Sequence, residues 1–281
     1  MRAIVSPLQG IVAAIFAVLL MVVPAGCGKS DKSNDITNAL ALPPQSSLFT
    51  DFSSFPTVSS QAAASLVSRV TISGQSNFAF SAVNVIVWNT VITVGLAVPV
   101  YTFLEAFNHR PTLQPDGSWL WSYSKTILLV TYTAKLYGKI NGDHVDWSMY
   151  ISKAGDFTDF NWFNGTADLA GTNGNWTMKK SPSDPVDLLS IDWARNAAAD
   201  TGHITYTNVE PGGPENGGYI SYGNDGTTDP TYDAYYNIYN KGKDDLINIE
   251  WNLTTKEGRV KNPAAFGDSN WHYWNSALQD V

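Results

Sequence analysis

Two hydrophobic periods divide the chain. From Phe78 to Phe107 apolar residues follow one another with scattered polar interruptions, and no charged residue occurs between Arg69 and Glu105. Stepped at about 100° per residue, Asn89, Thr90 and Thr93 fall on one side of a helix while Asn84 lies opposite, so the surface is apolar nearly all round. This predicts a helix buried on most faces. Pro99 lacks an N–H and clashes one turn back, so a break is expected there, with Val100 to Phe107 as a second short piece. Two rivals stay open. Val, Ile and Thr dominate from Val83 to Val94, which favours a strand pair. The run is also long enough, at about 1.5 Å per residue, to cross a bilayer, although no Lys or Arg flanks its end.

After the turn signals Pro111, Pro115 and Asp116-Gly117, the period drops to two. Trp119, Trp121 and Tyr123 alternate with Leu120, Ser122 and Ser124. Leu128, Val130, Tyr132, Ala134 and Leu136 alternate with Thr131, Thr133 and Lys135, and these are half-buried strands. The pattern recurs at Val145 to Ile151, Asn175 to Met178, Leu188 to Trp193, His203 to Tyr206, Tyr219 to Tyr222, Ala234 to Tyr239 and Leu246 to Leu253. Turn residues separate them at Asn141-Gly142, Gly171 to Gly174, Pro211 to Pro214 and Asp225-Gly226. A strand grammar repeats in Val145-Asp146-Trp147, Ile191-Asp192-Trp193 and Ile249-Glu250-Trp251, where the aliphatic residue and the Trp share one face and the acid points away. A sheet with an aromatic face needs a cover, and an uncharged helix needs surroundings. The expected fold is therefore α+β, mainly β: an antiparallel meander forming a barrel or half-barrel around the buried apolar helix.

Composition narrows the partners. The 281 residues carry a formal net charge of −8, with no Lys/Arg cluster beyond the N-terminus, which argues against a nucleic-acid partner. Ten Trp must fill a core or face a ligand.

The first residues read as an export signal. Arg2 and the amino terminus supply positive charge, Ile11 to Val23 form a short apolar stretch, and small residues follow. Pro24-Ala25-Gly26-Cys27 resembles a bacterial lipobox, with Pro24 standing where Leu is usual. The resemblance covers this signal alone. It implies a signal peptide at 1–26, cleavage before Cys27, and acyl chains on Cys27 that hold the protein to a membrane. A single cysteine in an exported chain leaves no disulfide framework, which agrees. Gly28, in place of Asp, implies the outer membrane of the bacterial envelope by the sorting rule of enteric bacteria. Residues 27–60, rich in Ser, Asn and Pro, read as the lipidated cysteine and a flexible tether. A short helix is expected over Gln61 to Val70, and 61–281 reads as a single β-rich domain with its apolar helical segment at 78–107. In architecture alone, this layout is similar to outer-membrane lipoprotein carrier and receptor proteins, whose open barrels with helical lids hold acyl chains.

Candidate chemistry is sparse. His109, His144, His203 and His272 are scattered, and none belongs to a zinc-protease motif. His144 and Asp146 share a strand face beside a turn, where a solvated polar face is the plainer explanation for them than a metal site. Asp225, Asp229 and Asp233 share a loop without EF-hand spacing. Asp146, Asp192 and Glu250 are the candidate carboxylates for glycan hydrolysis, but alternation places them on the wet face. The sequence thus favours a non-enzymatic protein without a cofactor, in which Trp88, Trp147, Trp193 and Trp251 either fill a dry core together with the helix or line a space for a lipid or other apolar ligand between helix and sheet. A glycan- or protein-binding surface built on Trp119, Trp121, Trp271 and Trp274 is the alternative.

Overall fold

The computed structural model describes residues 39–50, 55–56 and 76–281. The expected signal peptide, Cys27, the start of the tether and the helix expected at Gln61 to Val70 lie outside the described residues.

Among the described residues, thirteen strands form one antiparallel sheet whose spatial order is the sequence order. They are β1 (Thr112–Leu113), β2 (Trp119–Ile127), β3 (Val130–Asn141), β4 (His144–Lys153), β5 (Phe157–Asp168), β6 (Asn173–Ser181), β7 (Asp184–Asn196), β8 (Thr201–Asn208), β9 (Tyr219–Gly223), β10 (Ala234–Asn240), β11 (Asp245–Trp251), β12 (Gly258–Lys261) and β13 (His272–Trp274). β1 and β13 do not pair with each other, so the sheet is not closed.

Alternation sorts the side chains. Inward-facing positions such as Trp121, Leu136, Trp147, Met149, Trp176, Ile191, Tyr236 and Ile249 are fully buried. The outward positions form polar rows across the strands. One row takes a residue from each strand between β3 and β12: Lys139, Asp146, Thr166, Asn175, Asp192, Thr205, Ser221, Asn237, Asn248 and Lys261. Within it Asn175 donates to Thr166 at 2.9 Å and Asn248 donates to Asn237 at 2.7 Å.

The buried indoles follow a further rule. Trp147 sits opposite both Gly138 and Gly165, Trp176 opposite Gly165, Trp193 opposite Gly174, and Gly258 lies between Trp251 and Trp274. A Cβ on Gly138 would stand 2.6 Å from the Trp147 ring, and one on Gly174 would stand 2.9 Å from the Trp193 ring. Glycine is thus the residue that lets each indole lie down across the neighbouring strand, and the ring covers the backbone that glycine leaves bare.

β5 follows no clean alternation in the sequence, and the structure shows why. Its pairing with β4 shifts register between Met149 and Tyr150 and again beyond Ile151, so Trp162 and Phe163, adjacent in sequence, are both buried.

The apolar run is helical: α1 (Asn77–Thr90), a π-helical turn (Val91–Gly95) and α2 (Ala97–Ala106), followed later by the short α3 (Pro263–Phe266). Ser76 caps α1 by accepting from the Ala79 N–H at 3.1 Å. Ser81, Asn84, Thr90 and Thr102 turn back onto carbonyls four residues earlier, which satisfies polar groups on an uncharged helix. The break falls at Gly95 and Leu96, not at the expected Pro99. Pro99 lies in the first turn of α2, where its missing N–H would have had no helical partner. Burial is also less complete than expected, since Val87, Val91 and Tyr101 are exposed. α1 packs on β12 and β13, and α2 packs on β2, β3 and β4. Asn77 ties the start of α1 to the carboxyl-terminal segment, its N–H to Asp280 at 2.8 Å and its side-chain amide to the Tyr273 carbonyl at 2.8 Å. The Tyr123 hydroxyl on β2 donates to the Thr102 carbonyl of α2 at 2.6 Å. Among the described residues no helix is long and apolar enough to cross a membrane.

Candidate functional site

The inner aromatic face is occupied by the segment that composition marks as tether. Residues 39–50 and 55–56 lie on it, with Ser47, Leu48, Thr50 and Phe55 buried. The correction has a physical cause. Between the prolines and serines stand Leu40, Leu42, Leu48, Phe49 and Phe55, and an aromatic face supplies them with a partner that a free linker lacks.

The segment crosses the sheet from β4 towards β13. Leu40 packs over Gly138 beside Trp147. Ser47, within a 3-10 turn at Gln45–Ser47, accepts from the Trp176 indole at 3.3 Å. The Tyr206 hydroxyl accepts from the Thr50 N–H at 3.0 Å and donates to the Leu48 carbonyl at 3.2 Å. Burial of that phenol pushes its pKa well above the ordinary value. Phe55 packs edge-on against Trp251 at 5.0 Å and stacks on Phe78 of α1 at 5.8 Å between ring centres.

Three of the four tryptophans expected to line a ligand space adjoin this segment. Trp147 lines a cleft of about 260 Å³ with Leu40, Leu42 and Pro44, and Trp193 lines another of about 290 Å³ with Ser46 and Thr50. Arg195 borders both clefts. Trp251 meets Phe55. Among the described residues, the buried indole N–H groups of Trp147, Trp193 and Trp251 have no hydrogen-bond partner, and the same holds for Trp162. A buried donor left so costs about 1–3 kcal/mol. Trp88, the fourth, sits half-buried on α1 and lines neither cleft. Trp147, Trp193 and Trp251 thus meet the segment at 39–50 and 55–56, and the clefts beside Trp147 and Trp193 lie between that segment and the sheet.

No protein-family model matches this chain, and no match is found among curated proteins or solved structures.

The other candidates separate. Trp121 and Trp274 are buried, and Trp271 lies over the Arg259 guanidinium at 4.3 Å, so the four surface tryptophans form no exposed aromatic strip. Asp146 and Asp192 do face outward, but three strand steps part them, or about 14 Å. Paired glycosidase carboxylates lie about 5–9.5 Å apart. Glu250 was expected on the wet face and is instead covered. Its carboxylate accepts from Arg259 Nη2 at 2.6 Å and Nε at 2.9 Å, and from Thr228 Oγ1 at 2.9 Å, while Tyr232 and Trp271 sit over the guanidinium. Asp225, Asp229 and Asp233 take separate partners: Asp225 pairs with His203 and Tyr235, Asp229 with Arg259, and Asp233 with the Leu253 N–H. The His144 Nε2 does approach Asp146, at 3.3 Å, while its Nδ1 meets Asp143 at 3.0 Å. Among the described residues no group of three or more His, Cys, Asp or Glu side chains is placed to hold a metal ion.

Proposed function

We propose that this is a lipid-anchored, non-enzymatic protein of the bacterial cell envelope that binds a lipid or other apolar ligand on its inner aromatic face. The observation that carries this reading is the set of three buried indole N–H groups, of Trp147, Trp193 and Trp251, that have no partner among the described residues and whose rings adjoin the apolar segment at 39–50 and 55–56. Natural cores seldom leave such donors unmatched by protein or ordered water, and a bound ligand carrying acceptors would match them.

The finer architectural reading is a half-barrel wrapped on its helix pair. α1 on β12 and β13, with α2 on β2 to β4, supports it, because one short helical unit then meets both ends of the sheet. Lipid anchoring rests on the lipobox resemblance at Cys27, and placement at the outer membrane rests on Gly28. The non-enzymatic reading is supported by the outward acids being spread along the sheet and by Glu250 being committed to Arg259.

The test is mass spectrometry of protein purified from its native membrane. The expected result is an acyl-modified Cys27 peptide together with a co-extracted lipid. An unmodified Cys27 and a lipid-free protein would overturn the reading.

A further inference from the structure

We propose that the outer face of the sheet binds an uncharged, hydroxyl-rich glycan in a cleft built on β3, β4 and the start of β5 around Tyr137 and Tyr150. The cleft shares no residue with those beside Trp147 and Trp193, so it stands whatever the inner face binds.

Its volume is about 470 Å³, within the range of about 300–1,000 Å³ usual for small-ligand sites. The floor comes from outward positions, with Tyr137 opposite Ser148 and Lys135 opposite Tyr150. Tyr137 and Tyr150 are therefore diagonal neighbours, their ring centres 5.8 Å apart and their planes at 86°. Both are half-buried. Two rings at a right angle make a corner, where the apolar face of a sugar ring can stack on one and abut the other.

Ion pairs flank the corner. Lys135 donates to the two Asp159 oxygens at 3.0 and 2.9 Å, and Lys139 approaches Asp116 at 3.6 Å. Asp146, opposite Lys139, adds a third carboxylate to the lining. This mixture selects the ligand. A hydroxyl accepts from an ammonium and donates to the carboxylate beside it, so a vicinal diol answers a Lys–Asp pair with both of its groups. An anion meets an excess of carboxylates, and an apolar chain would strip water from all five charges. An extended peptide is offered no ladder, because β3 and β4 are each paired on both edges.

The sheet is distorted at this point and nowhere more. Met149 pairs with Phe163 and Tyr150 with Asn161, which leaves Trp162 as an extra residue beside Tyr150, and Thr158 and Asp159 together stand against Ser152 alone. Asp159 lies at φ 48°, a conformation that residues other than glycine seldom adopt. Its N–H donates to Ser152 Oγ at 2.8 Å, and that hydroxyl donates to its carboxylate at 3.2 Å. The bulge thereby turns the Asp159 carboxylate across β4 onto Lys135. Bulges and backbone strain of this kind recur where a side chain is aimed at a ligand. Beyond the corner, the row of Ser148 continues through Asn164, Thr177 and Ser190. It carries no charge, and its step of about 4.8 Å per strand is close to one sugar unit of an extended glycan.

The test is isothermal titration calorimetry on the full-length chain in a detergent without a sugar headgroup. Cellohexaose, maltohexaose and chitohexaose are the neutral probes, and a galacturonic acid hexamer is the anionic one. At least one neutral hexamer should bind at millimolar concentration or below, and more tightly than the anionic one. Tyr137→Ala and Tyr150→Ala should each weaken it about tenfold, while Tyr150→Phe, which keeps the ring, should stay within about twofold. Ser148→Tyr, which sets a large side chain on the floor, should abolish binding. Tyr101→Ala removes an exposed ring of α2 and should change nothing. Near-UV circular dichroism reports folding. Lys135→Met, at a partly exposed pair that contributes little stability, should weaken binding about fivefold and decides where the other variants do not fold. Neutral hexamers that fail to bind, or that bind the parent and the folded cleft variants equally, overturn the proposal, as does tighter binding of the anionic hexamer.

Discussion

Replacing Gly138 by alanine tests the packing rule on which the inner face depends. In most strand interiors this change is favourable, because glycine gives up about 0.5–1 kcal/mol relative to alanine through its greater backbone freedom. Here the new Cβ would lie 2.6 Å from Trp147 Cζ3 and 2.7 Å from Leu40 Cδ2. The indole is fixed between Gly138 and Gly165, so it must tilt, and Leu40 must leave. Overpacking of this kind costs about 1–3 kcal/mol. The expected net effect of Gly138→Ala is a loss of about 1–2 kcal/mol, or about 3–6 °C in melting temperature for a domain of this size. Gly95 is the control: a methyl group added there would have nothing within 4 Å, so Gly95→Ala should stabilise by about 0.4–1 kcal/mol. Urea unfolding followed by tryptophan fluorescence measures both. A Gly138→Ala protein that melts at or above the parent would refute the account of the indoles lying over glycine.

Three further outcomes are expected. Leu128 and Leu129 form the tip between β2 and β3 with φ of 48° and 67°, exposed at 70% and 99%. Exchange for Asn-Gly, which suits that turn, should raise stability by about 1–2 kcal/mol in thermal melts, and no gain would count against strain at the tip. Arg259→Met should cost about 3–5 kcal/mol by stranding the covered Glu250 carboxylate. Lys135→Met, whose partner Asp159 is exposed, should cost less than about 1 kcal/mol, and equal losses in urea melts would refute the distinction. The Asp143 carboxylate, assisted by Asp146, raises the pKa of His144 above its ordinary 6.5. Its contribution to stability is then full below that ordinary value and is lost as pH rises through the folded one. An NMR titration of His144 should show the raised midpoint, which falls in Asp143→Asn, and a midpoint at or below 6.5 in the parent would contradict the pairing.

Much of the sheet was legible because its faces differ in polarity. The Trp147, Trp193 and Trp251 positions could be assigned inward from alternation alone, and all three are buried. β5 was hidden by its register shifts, and β12 and β13 by their brevity. Glu250 misled for a different reason: alternation gives the face of a strand, but not whether a distant loop carrying Thr228 and Asp229 will cover it. At the candidate site, alternation could turn the indoles inward, while the segment that lies on them was obscured by Pro43, Pro44 and the serines, which dilute the leucines and phenylalanines around them.

Because each strand pairs with those before and after it in the chain, the sheet can assemble as a zipper of hairpins, each needing little loop closure. The segment around Thr50 and the start of α1 are different. Thr50 waits for Tyr206, 156 residues downstream, and Asn77 waits for Asp280, 203 residues downstream. The segment around Thr50, synthesised before the strands, is thus placed to find its native position late, arriving after the surface that receives it has been built.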